Sequence, residues 1–286
     1  MEKIEHSLEG VYLEVKPIVH AYVFELKQQW KKFVSFSVLS ILIIFLMSYV
    51  MYAVVPSSLL PDTQTEYLTT GLTFLSMFII VFASCFFFSG IICSEFDRKT
   101  GYIIFPKINK FKLIIGKYLG NLTLIIGVVI VYYVTLGLFC WYYYGVSVNL
   151  LFLASFAIAI VYILAVSSFV TLFSSFMKTV NMTIISTIMI LFIGFQVADQ
   201  LVTMFLPQFE PIYSMQYASN LIGSILEQPF PVERYAELSM MGPFGPDDFS
   251  FKTWITPTFE TGITVLIIYM SICLILASII FKRRQL

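Results

Sequence analysis

The side chains able to make or break bonds are few in this sequence, and they stand apart. Both histidines, His6 and His20, precede the first long apolar run, so no histidine pair with metal-ligand spacing is available for hydrolytic chemistry. The four cysteines, Cys85, Cys93, Cys140 and Cys273, lie within or at the edges of apolar runs and read as small buried residues. Met47 and Met51 are one helical turn apart and could touch a soft metal, but a packing pair is the simpler reading. Gly116-Lys117 is followed by Tyr118 and lacks the upstream glycine of a phosphate-binding loop. What the sequence does concentrate is charge, in "SEFDRKTGYIIFPKINKFKLIIGKYLG" at residues 94–120. Glu95, Arg98, Lys99, Lys107, Lys110, Lys112 and Lys117 stand there, punctuated by Thr100, Gly101 and Pro106. Such a set can dock, anchor or carry force; it supplies no convergent acid, base and nucleophile, so the chain does not read as an enzyme.

The elements that must position this segment follow from composition. With 59% hydrophobic and only 12% charged residues, the chain reads as an all-α polytopic membrane protein. Its zero formal net charge gives no bulk attraction to nucleic acid. A charge at the bilayer centre costs about 2.5–3.5 kcal/mol on insertion scales, so charge-free runs of roughly 20 residues mark the crossings. Six are predicted, at 34–55, 67–94, 118–143, 150–176, 181–206 and 257–281. The third and fourth come from one uncharged stretch, Tyr118 to Met177, that must divide near residues 142–149, where Gly145 and Asn149 offer turn chemistry.

Orientation follows from Lys and Arg near the crossing ends. With both termini in the cytoplasm, all but Arg234 and Lys252 of the 17 basic residues fall inside, while Asp62, Glu66, Asp199, Glu210, Glu227 and Glu260 fall outside or at the outer boundary. The segment 95–117 is then cytoplasmic. In the leader, 1–33, Val19, Tyr22, Val23, Leu26, Trp30 and Phe33 recur at helical spacing opposite Lys27, Lys31 and Lys32, which describes a helix in the inner interface or one packed on the protein's own cytoplasmic surface. In the external segment, 207–256, Ile212, Met215, Leu221, Ile222, Ile225 and Leu226 fit one short amphipathic helix on the outer leaflet, with "PFPVERY" and "MGPFGPDDF" as loops. No ionisable residue lies mid-span and every proline falls outside the span cores, so neither coupled-carrier chemistry nor proline-broken binding helices are signalled.

In order, the opening segment reads Glu95, Thr100-Gly101, Ile103 to Phe105, Pro106, Lys107 with Lys110, and Gly116-Lys117. This resembles the membrane permeases of type II ATP-binding-cassette (ABC) exporters, in Thr-Gly order where Gly-Thr is commoner, and the likeness extends to the leader, the six-span layout and the excursion before the last span. The resemblance implies the transmembrane subunit of an ATP-driven exporter, in the cell membrane, paired with a second copy of itself or a related permease. Two cytoplasmic ABC ATPase subunits would dock on 95–117 as a coupling helix. ATP and Mg2+ would be bound by those partners, with no cofactor in this chain. It further implies coupling roles for Glu95, Arg98, Thr100, Gly101, Pro106 and Lys117, a minor second ATPase contact at Lys178, and a pathway or dimer seam along spans two and five. Thr69, Thr73, Ser76, Thr183, Thr187 and Gln196 recur there at near-helical intervals, a pattern that ordinary helix packing also produces. A passive channel or carrier, and a membrane subunit that transmits force without moving solute, are the other readings the sequence leaves open.

Overall fold

The computed structural model describes residues 2–53, 61, 63–97, 110–146, 149–206, 208–227, 234–242 and 245–283; side chains are described from Val15 onward, apart from those of 236–253. Six helices among these residues are long and apolar enough to cross a bilayer. The first is α1, Glu2–Ala53. The second crossing combines α2 (Gln64–Phe74), a π-helical turn (Leu75–Ile79), α3 (Ile80–Phe88) and α4 (Cys93–Asp97). The third and fourth are α5 (Lys110–Tyr144) and α6 (Leu151–Phe176). The fifth joins α7 (Val180–Ile188), a second π-helical turn (Met189–Gly194) and α8 (Phe195–Phe205). Two short helices, α9 (Met215–Ser219) and α10 (Leu221–Ser224), and the strands β1 (Tyr235–Gly242) and β2 (Gly245–Trp254) precede the sixth crossing, α11 (Phe259–Arg283).

Side-chain contacts fix the direction of every crossing. Along α1 and α5, Gly116 meets Ala21, Gly127 meets Phe33 and Phe45 meets Phe139, so the two run parallel. The second crossing is antiparallel to both, with Tyr67 bonded to Ser48 at one end and Phe87 against Phe36 further along. α6 descends beside α5 through Tyr133–Ser155 and Tyr118–Ser167, the fifth crossing rises through Thr183–Cys93 and Phe192–Phe78, and α11 descends to Phe281 against Phe96. One end of the bundle therefore gathers Lys27, Lys31, Lys110, Lys112, Lys178, Lys282 and Arg283, and the other Glu66, Asp199, Glu210, Glu227 and Glu260. The second and fourth crossings form the centre, 72% and 61% buried over their most apolar windows against 17% for the first, fifth and sixth. An apolar exterior around a packed interior is what lipid solvation permits, since helices satisfy their own backbone groups there.

The division of the long uncharged stretch falls where the turn residues predict. Gly145 adopts φ 66° and its N–H bonds Trp141 O at 2.8 Å, a left-handed cap that a side chain would strain, while Asn149 Oδ1 accepts from Leu151 N–H at 3.3 Å. Elsewhere the structure corrects the reading. Leader and first span are one uninterrupted helix of 52 residues, about 78 Å long at 1.5 Å per residue, against a hydrocarbon core of about 30 Å. The break an in-plane leader needs is absent. Its inward face carries Ala21 and Glu25, while Val19, Val23 and Trp30 point outward. The second crossing, expected to be continuous through 67–94, is interrupted at Ser89–Ile92.

The external segment differs most from expectation. α9 and α10 are wedged into the acidic end of the bundle, with Met215, Leu221 and Ile222 fully buried. Ser155 of α6 donates to Ile222 O at 2.5 Å, Thr69 of α2 to Gly223 O at 3.4 Å and Tyr269 of α11 to Tyr213 O at 2.5 Å. Beyond them the stretch read as loop is an antiparallel hairpin in register Tyr235↔Trp254 and Met240↔Phe249, irregular before the Gly242↔Gly245 pair. Glycine and proline around its turn dominated the sequence signal over the strand pattern of "DFSFKTW".

Candidate functional site

The feature that positions Glu95 is the interruption at Ser89–Ile92. The helix that α3 begins is broken by Ser-Gly, which frees main-chain groups in an apolar setting, and Ser174 of α6 engages them. Its hydroxyl donates to Ser89 O at 2.7 Å and accepts from the N–H groups of Ile92 and Cys93, both at 3.1 Å. Cys93 Sγ donates to the same Ser89 oxygen at 2.9 Å. With its polar groups met by a neighbouring helix, the break is stable at this depth. Glu95 thus stands on the short helix that follows the break.

Lys117 approaches from the other limb. Its ammonium forms an ion pair with Glu95 Oε1, and both side chains are almost enclosed, at 10% and 8% exposed. One turn further along α5, the Asn121 amide donates to Glu25 Oε1 at 3.3 Å, and Gln29 donates to the same oxygen at 3.0 Å. Glu25, Glu95 and Lys117 line one cleft of about 210 Å³. A carboxylate from the leader therefore faces the same cleft as the pair that links α4 to α5.

This meeting requires α1 and α5 to approach closely, and two glycines make that possible. A Cβ on Gly116 would sit 2.6 Å from both Ala21 Cβ and Ile18 O, and one on Gly120 would lie 3.2 Å from Tyr22 O. Their spacing, Gly-x-x-x-Gly, is the small-residue pattern by which helices in lipid pack backbone to backbone. It stood in the sequence as "GKYLG" and could have located the contact. Glu25 had no such signal, because a carboxylate among Lys27, Gln28 and Gln29 looks solvated.

Of the other sequence-predicted residues, Arg98, Thr100, Gly101 and Pro106 lie outside the described residues. Lys178 is exposed in the link between α6 and α7 at the same basic end, where Thr179 Oγ1 caps α7 by accepting from Met182 N–H at 3.4 Å. The polar residues of spans two and five separate into different settings. Thr183 and Thr187 are buried inside the chain against Cys93 and Cys85, at 3.7 and 3.3 Å. Ser76 is buried and bonds its own helix at Thr73 O, 3.0 Å away. Thr73 is exposed, Gln196 is half-buried, and Thr69 reaches the wedge at α10. The two π-helical turns face each other through Phe78 and Phe192, centroids 5.3 Å apart. Such turns recur where helices serve a function, and neither was read from the sequence.

At the acidic end, Arg234 bonds Glu210 at 2.7 Å and lies over the Trp254 ring at 5.6 Å, while Tyr217 donates to Glu210 at 3.0 Å, which ties the hairpin to the wedge. Burial, with the Glu66 charge nearby, pushes the Glu227 carboxyl above its usual range. Among the described residues, no group of three or more His, Cys, Asp and Glu could hold a metal ion. No protein-family model and no curated protein matches the chain.

Proposed function

We propose that this chain is the transmembrane subunit of an ATP-driven ABC exporter, acting as a dimer with itself or a related permease and coupled to two separate cytoplasmic ATPase subunits. The observation that carries the proposal is the buried Glu95–Lys117 pair at the base of the basic segment, with α5 tied to the leader one turn further along by the Asn121–Glu25 bond. A loop that only anchors the membrane surface needs cations facing lipid headgroups. It does not need the helices on either side of it joined by an enclosed ion pair, nor a helix break held by Ser174. A lever does need that, because motion at its tip is lost if its base yields. In this reading the basic end faces the cytoplasm, in keeping with the distribution of Lys and Arg.

ATP binding by the docked ATPases displaces residues 98–109, and the locked base passes the movement into α1, α5 and the second crossing together. The test is copurification. A soluble protein bearing a phosphate-binding loop should accompany the full-length chain in equal amount and be lost when residues 98–109 are replaced by a flexible linker of the same length. Retention of the ATPase by that variant would contradict the docking role, and absence of any ATPase from the native complex would contradict the function itself.

A further inference from the structure

We propose that the groove between α5 and α11 at the basic end is a binding site for one anionic phospholipid. Its walls are Phe111, Ile115 and Leu119 of α5 and Leu274, Ser278 and Phe281 of α11, enclosing about 280 Å³. The groove opens outward, since Phe111, Ile115 and Leu119 are 42–47% exposed. From Phe111 to Leu119 it follows the helix axis for about 12 Å at 1.5 Å per residue, most of the depth of one leaflet's hydrocarbon.

Its chemistry selects an acyl chain. The hydroxyls on its surface are already engaged, Thr171 with Ser167 O at 2.7 Å, Ser278 with Leu274 O at 2.8 Å and Tyr118 with Ser167 Oγ at 2.7 Å. No polar group there calls for a hydrophilic ligand. At its basic end the groove is bounded by Phe111 and Phe281, edge to face at 5.9 Å, which sets the headgroup of a lipid lying along it beside the charged residues that flank these two rings.

The charge at that end decides the headgroup. Lys282 and Arg283 follow Phe281 directly and are exposed, and Lys110 directly precedes Phe111. The acids on the adjoining element are Glu95, held by Lys117, and the exposed Asp97, one charge against the two of Lys282 and Arg283, which leaves that end positive. A basic pocket between membrane helices fits a lipid phosphate, and an anionic headgroup adds attraction that a zwitterionic one lacks. The site depends on neither ATP nor transport, so it stands apart from the exporter reading.

Native mass spectrometry of the full-length chain, delipidated and then offered phosphatidylglycerol or phosphatidylcholine, tests it. One phosphatidylglycerol should be retained in preference to phosphatidylcholine. Ser278→Trp, on the exposed wall and away from the core, should lose that lipid. Lys282→Glu with Arg283→Glu should abolish the preference and leave the fold intact by circular dichroism. Equal retention of both lipids by the native chain, undiminished phosphatidylglycerol on Ser278→Trp, or a groove that takes no lipid because a second copy covers it would each overturn the proposal.

Discussion

Removing one partner of the Glu95–Lys117 pair leaves a charge that water barely reaches, which is why the single substitutions are expected to be severe. Lys117→Met should destabilise the chain by about 3–5 kcal/mol, the usual penalty for orphaning a buried charge. Combining it with Glu95→Leu should recover most of that loss, because two apolar groups of similar volume need no solvation. Thermal unfolding in detergent checks both, and equal loss in single and double variants would show that the pair is not the source. Glu227 gives a second test, through pH. Its carboxyl is raised in the folded state by burial and then by Glu66, so folding favours its protonated form. That contribution is complete below the unfolded value of 4.5 and is lost as pH rises through the higher folded value. Glu227→Gln should therefore flatten the decline in melting temperature as pH rises above 4.5, and an unchanged slope would refute the assignment.

The helices carry the geometry that brings those residues together, and the α1–α5 contact is its most sensitive joint. Gly116→Ala places a methyl against the backbone of Ile18, where nothing flexible can move aside, and should cost about 1–3 kcal/mol as overpacking. Gly90→Ala meets nothing nearer than 3.8 Å and should be tolerated. Proteolysis of the leader in the intact chain distinguishes them, with faster cleavage expected only for Gly116→Ala. The six crossings were legible because a bilayer penalises charge within each run, a rule that needs no partner. The faces were less legible. The apolar stripe of the leader divides: Tyr22, Leu26 and Phe33 are half-buried, with Leu26 and Phe33 against the core, while Val19, Val23 and Trp30 turn outward, since lipid accepts apolar groups as readily as a protein core does. Burial of Glu25 and of the α9–α10 wedge depends on neighbours 96 and 67 residues away, Asn121 and Ser155, and no local pattern announces it. The break at Ser89–Gly90 was written in the sequence, but its stability rests on Ser174.

Taken whole, the molecule joins a firmly fastened wedge at its acidic end to the buried Glu95–Lys117 pair at its basic end, through a second crossing that is interrupted twice, by a π-helical turn and by the Ser174-held break. In the proposed exporter, force enters at residues 98–109 and leaves through that crossing. The most direct test is thiol labelling of a cysteine introduced as Ile104→Cys, read against the native chain, whose four cysteines are buried. In intact cells an impermeant maleimide should not reach it; in inside-out membrane vesicles it should react once the ATPase is stripped away and be protected when the ATPase is restored. Labelling from outside intact cells, or labelling indifferent to the ATPase, would contradict the account.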